Sequence, residues 1–336
     1  VQQRGACRAG VVLSAVCLLA GCGGNQDTLH AHSSAQSNIV ELFWVMFGSA
    51  CVGFGVVVSL LFLGWLRRER AGFFAADGDV DRTGTRLVVV LGVALPLAVL
   101  AGLFVWADIF VVRSTAAPAP SSTQMTVEVV AHQWWWEVRY PGTAAVTANE
   151  IHIPTNTRID LVGTSADVIH SFWVPELNRK IELIPGIENR ILLDATSPGV
   201  YRGQCSEFCG VQHAHMAVAV IAEPAGRFRA WLANMAAPAL PPATATERAG
   251  LRVFLSEPCA SCHTIRGTSA RGGVGPDLTH LASRSTLAAL TIPNTPAYLR
   301  GWIANPQAVK PGAKMPAVPL SGRQLDELTA YLEHLR

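Results

Sequence analysis

Charge is what this sequence has least of. Asp, Glu, Lys and Arg make up 15% of its 336 residues while 50% are hydrophobic, a balance that disfavours one water-soluble globule and points to membrane segments. A chain of this length suits two or three domains. Its β-rich middle has no GxGxxG or phosphate-cradling loop, which argues against nucleotide chemistry there. A scattered cysteine framework is also missing. Cys7 and Cys17 lie in an N-terminal leader, Cys22 ends it and Cys51 sits in an apolar run, whereas Cys205 with Cys209 and Cys259 with Cys262 form two close pairs. Such pairs look like metal or cofactor handles, not disulfide partners spread along a soluble domain. The net charge of +2 identifies no partner, and nucleic acid is not expected as one.

Arg4 and Arg8 precede an apolar stretch at residues 9–20, the charged and hydrophobic parts of a secretory signal. The stretch ends Leu19-Ala20-Gly21-Cys22, which resembles a bacterial lipobox, so residues 1–21 are expected to be removed and Cys22 to carry lipid. A periplasmic segment, 22–38, then leads to two apolar runs, 39–66 and 87–112. Each exceeds the roughly 20 residues that cross a bilayer as a helix. Arg67, Arg68, Arg70, Arg82 and Arg86 crowd the 67–86 loop between them, while no Lys or Arg lies between Cys22 and the first run. The basic loop therefore belongs on the cytoplasmic side, leaving both termini outside the bacterial inner membrane.

From residue 123 to 223 the pattern changes to short runs of β-formers, such as 125–131, 158–164, 190–195 and 217–222, broken by Gly, Pro and Asn. This is the pattern of an all-β sandwich or barrel. Its informative stretch holds Cys205, Glu207, Cys209, His213, His215 and Met216, and His170 stands upstream in Asp167-Val-Ile-His170-Ser-Phe-Trp-Val-Pro175. Two thiolates, two imidazoles and a thioether form a soft ligand set suited to copper. An exported Cys pair could instead form a disulfide, and Cys205, Cys209, His170 and His213 could make a tetrahedral zinc site. A mononuclear blue-copper site needs one cysteine, not two. The histidine and methionine at fixed offsets favour the metal over the disulfide.

The segment C-S-E-F-C-G-x-x-H-x-x-M, with D-V-I-H-S-F-W-V-P upstream and His132-Gln133-Trp134-Trp135-Trp136, resembles the dinuclear copper (CuA) domain of cytochrome c oxidase subunit II. The resemblance implies a cupredoxin-like fold, with Cys205 and Cys209 bridging two coppers. It implies His170 and His213 as terminal ligands, Met216 as a weak ligand and the Glu207 carbonyl as another, the family spacing selecting His213 over His215. It further implies the Glu207 carboxylate as a magnesium ligand at the interface with subunit I, and Trp134 as the residue that passes electrons to copper. Trp135 is read as strand packing. The implied partners are subunit I, carrying haem a and the haem a3–CuB centre, and subunit III. Many family members carry a glutamate shortly before the second span, and Asp81-Arg-Thr-Gly-Thr-Arg86 has none.

An Ala- and Pro-rich linker, 235–247, leads to a C-terminal domain at 248–336 that contains Cys259-Ala-Ser-Cys262-His263. CxxCH marks covalent haem c attachment through both thiols, with the histidine on the iron. Met315 is the only methionine beyond that motif and so is read as the second axial ligand over His280 and His334. The run Gly275-Pro276-Asp277-Leu278 resembles small c-type cytochromes, in which the carbonyl at the Pro276 position holds the other nitrogen of the axial histidine. Residues 123–235 hold 8 basic and 11 acidic side chains and residues 248–336 hold 10 and 5, giving −3 and +5. That asymmetry predicts a salt-sensitive attraction between the two domains.

The fold expected is thus multidomain: a two-helix transmembrane hairpin, an all-β cupredoxin-like domain and an all-α class I cytochrome c domain. The expected function is electron entry to a caa3-type, proton-translocating cytochrome c oxidase, with a cytochrome c or bc-type complex as donor. Rival readings are a free membrane-tethered electron carrier and a subunit of nitrous or nitric oxide reduction.

Overall fold

The computed structural model describes residues 24–67 and 78–336. The leader at residues 1–21, Cys22, Arg68 and Arg70 lie outside the described residues. The chain divides into two compact units, residues 34–116 and the remainder.

The smaller unit is two helices, α1 (Ser34–Arg67) and α2 (residues 78–115). Both are long and apolar enough to cross a membrane. Side chains such as Phe54, Leu61, Val88 and Phe104 are bare, as a lipid-facing surface requires. Within α2 a π-helical turn, Val90–Ala94, directly precedes Pro96. Proline has no N–H for the i→i−4 ladder and its ring crowds the preceding turn, so a widened turn at this point accommodates it.

The larger unit contains a sandwich of two five-stranded sheets. In chain order the strands are β1 (Met125–His132), β2 (Trp135–Arg139), β3 (Val146–Ala148), β4 (Glu150–Pro154), β5 (Ile159–Ser165), β6 (His170–Trp173), β7 (Ile181–Leu183), β8 (Asn189–Leu193), β9 (Gly199–Cys205) and β10 (Ala217–Glu223). One sheet runs β3-β2-β1-β5-β8 and the other β4-β10-β9-β6-β7. Alternation decides what is inside: Val127, Val129 and Ala131 of β1 are buried, and their neighbours are half-exposed. Trp136 is fully buried, packed edge-on against Phe172. Trp135 lies on the opposite face of β2, stacked on His132. Trp135 packs within the sheet, as expected, as the cross-strand partner of His132, and Trp136 is the one that enters the core because the pleat turns the next residue inward. After β10, helix α3 (Ala225–Ala236) lays Phe228 and Trp231 against Tyr140.

The C-terminal domain is helical: α4 (Ala245–Ser256), α5 (Cys259–Cys262), α6 (Pro296–Ala304), α7 (Pro306–Val309) and α8 (Gly322–His334), with a short β11–β12 ladder (Thr286–Leu287 with Ile292–Pro293). Both long helices start on capping boxes, Thr244 with Glu247 and Ser321 with Gln324, which satisfy N–H groups that a helix start leaves unpaired. α4 and α8 cross closely enough that a Cβ on Gly250 would lie 2.0 Å from the Glu327 carbonyl oxygen, so only glycine fits there. Phe254, Leu328, Tyr331 and Leu332 make the apolar seam between these helices. Two apolar helices, a cupredoxin-like sandwich and a helical cytochrome domain match the expected fold class.

Candidate copper and haem sites

The first site forms where β9 ends. Cys205 is its last residue, and the loop then folds back so that Cys205 N–H bonds to the Met216 carbonyl at the head of β10. The two thiols are 3.8 Å apart, and both are buried. His170, the first residue of β6 and wholly buried, brings Nδ1 to 3.8 Å from Cys205 Sγ. His213 Nδ1 lies 3.6 Å from Cys209 Sγ. Met216 Sδ is 3.8 Å from Cys209 Sγ, and the Glu207 carbonyl oxygen is 3.2 Å from Cys205 Sγ. His215 turns away and bonds Gln212 instead. The Glu207 carboxylate is exposed on the rim of the loop.

Electrostatics prepare these groups for metal. The thiol–thiol hydrogen bond lowers the pKa of Cys205 and holds the proton on Cys209, so the pair gives up its first proton easily and its second reluctantly. Burial opposes protonation of His170, but hydrogen bonds to Cys205 and Asp167 outweigh it and raise its pKa. The Asp167 carboxylate sits 3.0 Å from His170 Nε2. A carboxylate accepts, so the proton belongs on Nε2 and the Nδ1 lone pair faces the sulfurs. Trp134 Nε1 and Gln133 Nε2 both donate to the Cys209 carbonyl, at 3.0 and 2.8 Å. Two sulfurs, two imidazole nitrogens, a thioether and a carbonyl converge, a donor set that fits copper. His170 and the two cysteines by themselves place ligand atoms within 4.8 Å of one another.

The second site is a cavity of about 560 Å³ walled mostly by the C-terminal domain and also lined by His132, Trp134, Trp135 and Asp167 of the sandwich. Cys259, Cys262, His263 and Met315 all line it, together with apolar Phe254, Leu299, Ile303 and Leu332. His263 Nδ1 bonds the Pro276 carbonyl at 2.8 Å. A carbonyl only accepts, so Nδ1 carries the proton, and burial lowers the ring's pKa and keeps it neutral. Its Nε2 lone pair is free for a metal. A Cβ on Gly275 would come within 2.4 Å of His263 Cε1, so the ring is cradled where only glycine fits. Arg284 also lines the cavity, and its Nε has no partner. Bare thiols, an oriented imidazole, a thioether and an orphaned guanidinium nitrogen around one apolar space fit a covalently held haem with acidic side groups. The competing histidines are engaged elsewhere. His280 faces the carbonyls of Arg336 and Ala237, and His334 faces Pro241 and Glu247.

Asp167 and Gln133 stand in motifs singled out in the sequence with no role assigned to them, and Arg284 and Lys310 were missed altogether. The offset of three residues between Asp167 and His170 was a usable signal. Arg284 and Lys310 act across the chain and have none. Trp135, read as packing, lines the cavity with Trp134.

Comparison with known proteins places both domains in known families. Residues 143–223 match the family model "Cytochrome C oxidase subunit II, periplasmic domain", and residues 248–336 match "Cytochrome c". Cytochrome c oxidase subunit 2 of Alkalihalophilus pseudofirmus is 33% identical over 258 residues, covering 76% of this chain and 73% of that protein. The subunit 2 of Bacillus sp. strain PS3 is 30% identical over 223 residues, covering 63% and 62%. Among solved structures, the periplasmic domain of subunit II of cytochrome oxidase from Bradyrhizobium japonicum is 30% identical, covers 35% of this chain and 96% of its own, and has a TM-score of 0.34. With its paired apolar helices, its β-sandwich and its joined cytochrome c domain, the chain belongs to the cytochrome c oxidase subunit II family, a component of haem–copper oxidases.

Proposed function

We propose that this chain is the electron-entry subunit of a caa3-type oxidase. Electrons from a cytochrome c or bc-type complex enter at the C-terminal domain, pass to the copper loop and leave for haem a of subunit I. Oxygen is reduced there, at the haem a3–CuB centre, with proton pumping. Catalysis belongs to the complex, which includes subunit III, and this chain is its relay.

Cys205 and Cys209 would hold a pair of coppers with His170, His213, Met216 and the Glu207 carbonyl. Cys259, Cys262, His263 and Met315 would hold haem c. When bound, both groups supply reversible one-electron chemistry with little rearrangement. The protein's part is to hold the donor atoms still. Asp167 and Pro276 fix the tautomers of His170 and His263, and Met216 and the buried thiols keep water from the copper loop. Trp134 lines the haem cavity and bonds the Cys209 carbonyl, which supports it as the bridge between the sites. The exposed Glu207 carboxylate is available for a magnesium ion shared with subunit I. The reading extends to two membrane spans near 39–66 and 87–112, a cytoplasmic 67–86 loop, lipid on Cys22 and both termini outside the bacterial inner membrane. The copper and haem domains extend over 123–223 and 248–336, joined by 235–247.

The observation that carries the proposal is the convergence of two buried thiols, two imidazoles and a thioether on one loop. Optical and paramagnetic spectroscopy of the purified chain tests it. A c-type haem together with one unpaired electron shared by two copper nuclei is expected. Zinc alone, or a sulfur–sulfur bond between Cys205 and Cys209, would end the proposal.

A further inference from the structure

Fused domains move relative to each other by default unless their interface is extensive. The tether here is fastened. The Ala237 carbonyl faces His280 Nε2 at 3.0 Å, Ala239 N–H bonds the Arg266 carbonyl at 2.9 Å, and the Pro241 carbonyl faces His334 Nε2 at 3.0 Å. The Arg266 guanidinium donates back to Met235, Ala236 and, in the copper domain, Ala144. The expected Ala- and Pro-rich linker is therefore fastened along the cytochrome domain's surface.

The seam itself is built mainly from buried polar groups. Glu150, 3% exposed, accepts from Ser285 N and Oγ at 2.9 and 2.5 Å. Gln212 Nε2 donates to the Pro311 carbonyl at 2.5 Å. Among the described residues one ion pair crosses the seam, the half-exposed Lys314–Asp167 contact at 3.4 Å. The salt-sensitive attraction expected from net charge thus has a single direct contact. Lys310, also 3% exposed, donates to the Trp134 carbonyl at 2.9 Å and the Ala288 carbonyl at 3.2 Å. Burying an ammonium is costly unless its donors are used. Here burial pushes Lys310 down to about 8. A cation held at that cost on a seam that repeatedly opened would be rehydrated each time. Trp134 in turn donates to the Cys209 carbonyl, so one hydrogen-bonded line runs from the haem cavity's lining to the copper loop.

We propose that the cytochrome domain stands permanently docked on the copper domain, with Lys310 as the buried pin that positions Trp134 between the haem cavity and the Cys209 loop. The face around Trp134 is then closed to soluble donors, and an external donor delivers its electron at another surface of the cytochrome domain. Lys310 is a positioning residue, and its redox role rests on the electron-relay reading above.

Lysine occurs at three positions, 180, 310 and 314, which makes amine acylation followed by mass spectrometry of the full chain decisive. Lys180 and Lys314 are exposed and serve as internal references. Lys310 is expected to react at least about tenfold more slowly, since labelling needs an opening of the seam. Labelling at the rate of Lys314 overturns the proposal. In the chain loaded with both cofactors, Lys310→Met should slow haem-to-copper transfer about tenfold or more with both spectra unchanged, and the wild-type rate should hardly respond to salt. Transfer by the variant at the wild-type rate, or a steep salt dependence, also overturns it. Should the variant fail to load its cofactors, wild-type labelling and salt dependence decide. A missing copper spectrum with Lys310 still protected would count against the relay reading alone. Rapid labelling with both spectra present would count against the dock alone.

Discussion

The two redox domains solve the same problem in opposite ways. In the copper domain, polypeptide fills the interior. Trp136, Phe172 and the strand aliphatics pack to the edge of the ligand loop, and the donor atoms already stand within hydrogen-bonding distance of one another. In the cytochrome domain, α4, α6 and α8 wall a cavity of about 560 Å³ that Trp134 and Trp135 of the sandwich also line. A domain of about 90 residues has a small apolar core, and a bound group in this cavity would enlarge it. One domain thus presents a built site, whereas the other is a shell whose core is completed by what it binds.

The largest expected effect follows directly. Replacing Cys259 and Cys262 by Ser removes the covalent anchors. An unfilled cavity of this volume costs on the order of 10 kcal/mol, comparable to the whole stability of such a domain. Calorimetry and haem staining should show the cytochrome transition abolished, while chelating copper should leave the sandwich folded. A copper-free sandwich that unfolds as readily as the haem-free shell would break the comparison.

Next comes Trp136→Ala, which empties the filled interior. A loss of about 3–5 kcal/mol is expected in chemical denaturation of the copper domain, with the haem spectrum unchanged. Third is pH. Burial lowers Lys310 from 10.5 to about 8. Between those values the unfolded chain keeps a proton that the folded chain has released, so this group makes stability rise with pH, by up to about 3 kcal/mol. The difference between wild type and Lys310→Met, measured from pH 8 to 10, should show that slope; a flat difference would place Lys310 in solvent. The smallest effect is Thr244→Ala, which removes one capping box. It should cost about 1 kcal/mol and act on the cytochrome transition alone. Equal loss in both domains would mean that they unfold as one body, sharpening the case for a permanent dock.

Much of the copper site was legible because its donors are crowded in sequence. Five of its ligand positions fall between Cys205 and Met216, and only His170 comes from another strand. CxxCH was equally plain. What escaped was every residue that acts at long range. Arg284 meets the cavity through the fold, and Lys310 reaches Trp134 across 176 positions. Which tryptophan enters the core was a matter of register: alternation says that adjacent tryptophans face opposite ways, but not which one faces inward until the strand's first residue is known.

Composition and spacing by themselves determined the apolar helices, the soft ligand set and the CxxCH motif, because hydrophobic run length, thiol pairing and histidine offset are local chemistry. Tertiary structure alone decided which nitrogen of His170 faces the sulfurs, which tryptophan is core and how the linker is fastened. Each of those depends on a hydrogen-bond partner or a packing surface brought from a distant part of the chain, and no local pattern encodes that.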